Sequence, residues 1–324
     1  MTQHGTYTKK AERPRWGSLC LVFLLTFSFF LLLRRADVAT NCMRSGLSLC
    51  ARAVVPSLFP FMVLSELLIA SGAGEWLTSF LAPLLGKFPG LSRSGCCAVI
   101  LGLICGFPVG ARCAILAYEK GTLSHSECEC VLACSSIPSS AFLIGTVGTT
   151  LWGNATFGVH LYLCAIVSAL LSGFLLYVVK KKKIKEDSIT NIPPSSPVRF
   201  DVKMFPKSVK NATMATLFIC AYVVFFSTLV GAIELILFRF GATSNVTALL
   251  SSLLELSGGV SAASQLGNYR FATALTGAAV GWSGLSVHCQ MLTLCEGHDI
   301  SMRPYFVAKL IQTVLCALLM SLLK

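Results

Sequence analysis

Residues 157–179 read FGVHLYLCAIVSALLSGFLLYVV, and Lys180, Lys181, Lys182 and Lys183 follow at once. The run holds no Asp, Glu, Lys or Arg, and it is longer than the roughly 20 apolar residues a helix needs to cross hydrocarbon. A lysine cluster closing such a run marks the cytoplasmic end of a span or a contact with anionic headgroups. Working outward, the same length rule places further spans near 17–33, 53–70, 130–150, 212–237, 246–265 and 305–323. Two more apolar stretches, 95–117 and 271–295, are interrupted by glycines and polar residues. Trp76 to Leu85 contains Pro83 and is too short to span, so it is expected at the interface. The expected fold is an all-α polytopic integral membrane protein of about 7–9 transmembrane helices, two of them broken or re-entrant.

Composition points the same way. Of 324 residues, 55% are hydrophobic and only 12% charged, and the mean hydropathy is +0.75. Soluble domains carry roughly 25% charged residues, so this chain has too few to clothe a soluble globule. The net charge of +12 is concentrated in Lys180–Lys183, Lys185, Arg199, Lys203, Lys207 and Lys210. No aromatic platform is interleaved with these cations, so nucleic acid is not the expected partner. Most of the 15 cysteines lie inside apolar runs, where a free thiol behaves as a small hydrophobe, and no secreted disulfide framework is apparent. The first run, Leu19 to Leu33, follows Lys9, Lys10, Arg13 and Arg15 and meets Arg34 and Arg35 without a small-residue cleavage site. It reads as an uncleaved anchor.

Residues 180–208 are polar and contain Pro193, Pro194, Pro197 and Pro206. They read as a cytoplasmic connecting loop. The expected organisation is therefore a tail and anchor (1–40), a first half (41–179), this loop (180–208) and a second half (209–324). The charge distribution leaves the side of the N-terminus open. The halves share a weak repeat: Gly102-Leu103-Ile104-Cys105-Gly106-Phe107 before Lys120-Gly121, and Gly277-Ala278-Ala279-Val280-Gly281-Trp282 before Glu296-Gly297.

The two interruptions carry the functional expectation. In Gly106-Phe107-Pro108-Val109-Gly110, proline removes a donor and clashes with the preceding turn. Unpaired backbone at membrane depth is tolerated only where protein or a water-filled cavity supplies partners. Ser283, Gly284, Ser286, His288 and Gln290 lie in the second interruption. Interrupted segments at matching places in two halves point to a transporter's binding site, and half-helix N-termini suit an anion. Arg112 lies just past the first break and reads either as a two-pronged carboxylate ligand or as a snorkelling side chain. His288 and Gln290 read as cavity lining or as helix–helix hydrogen bonds. Glu66 and Glu255, both inside apolar spans, read as coupling carboxylates or as partners of Arg112 and His288. Lys309 reads as snorkelling. His288, Cys289, Cys295 and His298 match no zinc spacing. No metal or other cofactor is expected, and no hydrolase, zincin or phosphate-loop motif suggests an enzyme.

Five blocks, in order, resemble the YlbJ sporulation membrane proteins, also called SpoVV. They are Ser57-Leu58-Phe59-Pro60-Phe61 through Glu66, Gly106-Phe107-Pro108-Val109-Gly110-Ala111-Arg112, Phe142 to Gly148, Leu253 to Gly259, and Gly284 to Gln290 followed by Arg303-Pro304-Tyr305. One departure is Ser135-Ser136-Ile137-Pro138-Ser139-Ser140, where the family pattern has Asn and a Ser-Pro pair. The resemblance implies a member of the wider nucleoside-recognition or Gate group, with two Gate-like repeats. It further implies a spore-forming bacterium and dipicolinate transport across the outer forespore membrane. A nucleoside or metal-ion permease and a non-transporting spore-envelope assembly factor are the alternatives. On this reading the site is Gly106, Phe107, Pro108, Gly110 and Arg112 with Ser283, Gly284, Ser286, His288 and Gln290. The partners are a small anionic solute and the lipid bilayer, and a homo-oligomer stays open.

Overall fold

The protein is described by a computed structural model covering residues 22–23, 26–27, 29–30, 32–78, 91–187 and 198–323. Most of the 17–33 anchor, Ser79–Leu85 and the proline-rich 188–197 stretch lie outside the described residues. All regular structure among the described residues is helical. Three helices are long and apolar enough to cross a membrane, beginning at Ala155, Met204 and Arg303.

The first helices are α1 (Ala36–Leu49), a π-turn at Cys50–Val54, α2 (Val55–Ala70) and the short α3 (Ala73–Thr78). Next come α4 (Arg93–Cys105) and α5 (Phe107–Glu119), then α6 (His125–Cys134) and a π-helix (Ala141–Leu151). The long α7 (Ala155–Asp187) and α8 (Met204–Arg239) follow. The last third holds α9 (Ser244–Leu254), α10 (Leu256–Ser264), α11 (Tyr269–Trp282), α12 (Gly284–Leu294) and α13 (Arg303–Leu322).

Local chemistry sets several of these starts. Ser92 accepts from the Gly95 N–H at 3.0 Å, Asn154 from Phe157 at 3.1 Å and Asn268 from Phe271 at 3.1 Å. Each satisfies a donor that the first helical turn leaves orphaned. At 33 residues, α7 is about 50 Å long, well over the hydrocarbon thickness. It therefore carries Lys180–Asp187 as helix, so the connecting segment begins later than the expected 180.

Two apolar stretches fold back: 95–117, expected as broken or re-entrant, and 246–265, expected as a continuous span. Gly102 of α4 and Gly110 of α5 face each other so closely that a Cβ on Gly110 would lie 2.5 Å from the Gly102 Cα. Eight residues of straight helix would hold them about 12 Å apart. The 95–117 stretch is therefore a helical hairpin with Gly106 at its tip, where φ is +98°. The 246–265 stretch is a second hairpin, α9 and α10, with Glu255 at the tip and Gly259 pressed on the Ser252 backbone. The expected 130–150 span is α6, an irregular 135–140 segment and the π-helix. The 271–295 stretch breaks at Ser283, which takes the left-handed conformation at φ +70°, and α12 leaves α11 to pack against α8, α5 and α9.

A hairpin, an interrupted helix and a long helix thus occur in this order twice: α4–α5, α6 with the π-helix, α7; then α9–α10, α11 with α12, α13. The motif pairing of 102–107 with 277–282 cuts across this element order. It matches the first hairpin to the second interrupted helix, although both use Gly-x-x-x-Gly for close packing. In the second case Gly277 and Gly281 let α13 approach, with Cys316 and Gln312 carbonyls against them.

The long helices are inside out by the standards of a soluble protein. On α13, Val307, Leu310, Val314 and Leu318 are exposed, whereas Tyr305, Lys309 and Gln312 are buried. On α7, Leu163, Val167, Leu171 and Phe174 make a similar exposed apolar stripe. Lipid is the solvent that rewards such an arrangement.

Candidate functional site

Each hairpin tip seats on the interruption of its own half. A Cβ on Gly106 would strike the Ser139 nitrogen at 2.8 Å. A Cβ on Gly284 would strike the Leu256 nitrogen at 2.9 Å and the Glu255 Cα at 3.1 Å. Both glycines have positive φ, +98° and +81°, so a side chain is opposed by conformation and by space. Trp282 adds a hydrogen bond from Nε1 to the Leu253 carbonyl at 3.0 Å.

The four features enclose one cavity of about 70 Å³. Phe107 and Pro108 come from the first tip, Pro138 and Ser139 from the first interruption, Glu255 and Ser257 from the second tip, and Ser286 and Gln290 from the second interruption. Phe142 of the π-helix and Ile219 and Val223 of α8 complete much of the apolar wall. Among the described residues, no Lys, Arg or His lines it.

The polar groups have distinct tasks. Glu255 is 4% exposed, and its oxygens accept from the Ser257 N–H at 3.0 Å and the Gly258 N–H at 2.6 Å. It caps α10, so that half-helix N-terminus already has its anion. Gln290 donates from Nε2 to Ser286 Oγ at 3.3 Å, and its buried Oε1 has no partner. A larger space of about 730 Å³, the vestibule, adjoins the small one and shares Glu255, Ser257, Leu49 and Phe142 with it. Its wall includes Glu234, Thr146, Ser227, Thr247 and Gln265 and, among the described residues, no basic residue.

Behind the cavity, α13 ties the halves together. Lys309 is 0% exposed. Its Nζ donates to the Ser136 carbonyl in one interruption and to Ser283 Oγ, at 3.0 Å, in the other. Gln312 donates from Nε2 to the Ala133 carbonyl and to Ser172 Oγ, both at 2.9 Å. Tyr305 lies one turn before Lys309, and its hydroxyl is 2.9 Å from His288 Nδ1. Lys309 therefore does not snorkel; it is a buried cross-brace. Its place four residues after Tyr305 and three before Gln312 was the available signal, a single polar stripe on an apolar helix.

Of the expected residues, Phe107, Pro108, Ser286, Gln290 and Glu255 line the cavity. Gly106 and Gly284 shape it without lining it. Gly110 packs on Gly102, Ser283 braces Lys309, and His288 is held by Tyr305 with its ring edge-on to Trp282. Arg112 is elsewhere. Its Nε donates to Glu66 Oε1 at 2.7 Å, and Asn211 donates to Glu66 Oε2 at 3.3 Å, clamping α2, α5 and α8. The expected two-pronged ligand is thus engaged with the other expected carboxylate. Sequence reasoning passed over Ser257 and the vestibule, which depend on chain segments meeting in space.

No family model matches the chain, and no solved structure matches it. A curated relative does: the sporulation integral membrane protein YlbJ of Bacillus subtilis (strain 168) is 25% identical, the alignment covering 93% of this chain and 82% of that protein.

Proposed function

We infer that this chain, a member of the YlbJ family of sporulation integral membrane proteins, is a carrier of a small polar solute rather than a catalyst, and that the solute is dipicolinate crossing the outer forespore membrane. One observation carries the carrier reading: two hairpin tips and two helix interruptions, from separate halves, converge on a single cavity. Unwound backbone at a midplane site between repeats is the usual construction of a secondary transporter. In this reading the two element sequences are inverted or parallel repeats, the hairpins enter and leave the bilayer on one side, and alternating access rocks one half against the other.

The family resemblance supplies dipicolinate. The walls are compatible with a flat ring, since Phe107, Phe142, Pro108 and Pro138 present broad apolar faces. The Glu255 carboxylate favours a second reading, a neutral hydroxyl-rich solute such as a nucleoside, whose donors would meet Glu255 and Gln290.

Uptake of labelled dipicolinate into proteoliposomes tests the assignment, with labelled nucleosides in parallel. Saturable dipicolinate uptake that falls at least about tenfold in Gln290→Met supports it, a loss expected when a buried polar contact to solute disappears. Saturable nucleoside uptake with no dipicolinate uptake moves the protein to the second reading. Transport of neither, with insertion confirmed, removes the carrier reading.

A further inference from the structure

The cavity and its vestibule are acid-lined in a chain of net charge +12. Glu255 and Glu234 are the carboxylates among their lining residues, and among the described residues no Lys, Arg or His lines either space. Every ion pair among the described residues uses another carboxylate: Asp37, Glu66, Glu129 or Glu119. The Glu255 oxygens accept one backbone N–H each, and the Ser257 hydroxyl also bonds the carboxylate, which still leaves acceptor capacity among its four or so lone pairs. Gln290, itself 4% exposed, adds an Oε1 with no partner in the same wall. A buried acceptor without a donor costs about 1–3 kcal/mol, and Gln290 Oε1 is the one such side-chain atom among the described residues that belongs to the cavity lining.

We propose that Glu255 and Gln290 Oε1, with the Ser286 and Ser139 hydroxyls, bind a monovalent metal cation that enters through the vestibule. All of these are hard oxygen donors, which suit alkali and alkaline-earth ions. A single carboxylate balances one positive charge. The negative vestibule raises the local cation concentration along the approach. The brace at Lys309 sits behind the wall and makes its bonds to Ser136 and Ser283. The role as a coupling ion rests on the carrier reading: the cation neutralises Glu255, so a solute anion arriving beside it does not meet that carboxylate's uncompensated charge. The binding itself does not rest on that reading.

The test is thermal unfolding of the purified full chain in detergent, with NaCl or KCl replaced stepwise by choline chloride at constant ionic strength. A saturable rise in Tm of at least about 3 °C with Na⁺ or K⁺ over choline is expected, following the linkage between ligand occupancy and stability. Gln290→Met, which keeps the side-chain volume and leaves the α10 cap alone, reduces that rise at least about threefold. Glu255→Gln abolishes it. Equal cation stabilisation in both variants, or none in the parent protein, overturns the proposal. A Tm that follows pH in choline and ignores metal ions assigns the site to a proton and also overturns it. Cation stabilisation without dipicolinate uptake keeps the site and discards only the solute.

Discussion

The two hairpins make the same fold with different chemistry. In α4–α5 the tip is Gly106, the seam is glycine against glycine, and the charge behind it, Arg112, is consumed by Glu66. In α9–α10 the seam is Gly259 on the Ser252 backbone, and the tip is a buried carboxylate with no ion-pair partner among the described residues. Shape is therefore held by small residues in both. Glu255 alone gives the second tip a charge facing the cavity. The difference shows that an intramembrane charge close to a break need not serve a ligand. What matters is whether a neighbouring element has already neutralised it.

Four tests, using five substitutions, probe that division in order of expected effect. Lys309→Met removes the brace that both halves share and leaves the Ser136 carbonyl and Ser283 Oγ without this donor. A loss of about 3 kcal/mol or more is expected from the orphaned buried groups, read as a Tm fall of roughly 6–12 °C. A Tm within 2 °C or so of the parent's would show that the halves hold together without it. Gly110→Ala and Gly259→Ala force a Cβ onto backbone across the two seams. Each is expected to cost about 1–3 kcal/mol, and a large effect in only one would mean that the hairpins are not built alike.

The third is Arg112→Met. Glu66 is 8% exposed and Arg112 27%, so the pair is partly screened and the expected loss is about 1–2 kcal/mol. Its solute affinity should stay within about twofold of the parent's. A loss of about tenfold or more in binding, measured by equilibrium dialysis, would return Arg112 to the site. The smallest effect belongs to Gly145→Ala on the outer side of the π-helix, where an added Cβ meets nothing within 4 Å. Stability should be unchanged or raised by up to about 1 kcal/mol, which calibrates the seam glycines against an open one.

Part of the cavity lining was legible because its residues break local rules. Pro108 inside an apolar run, the Ser-rich Ser135–Ser140 segment and Glu255 in an apolar stretch each cost free energy unless the fold provides for them. Arg112 broke the same rule, and of its open readings the structure shows the pairing with Glu66, which lies 46 positions away in the chain; periodicity carries no record of which partner would be found. Lys309 did mislead. A lone lysine in a long apolar helix has the same local pattern whether it reaches the interface or a buried carbonyl.

From the residues alone follow a membrane setting, an all-helical fold and the places where helices cannot continue, because hydropathy, proline and glycine act within a few positions along the chain. The tertiary structure decided that 95–117 and 246–265 double back, that 271–295 does not, and that Lys309 rather than Arg112 joins the halves. Those outcomes depend on which backbones approach closely enough to touch and which charges find partners, and both are fixed only when distant segments share one low-dielectric interior.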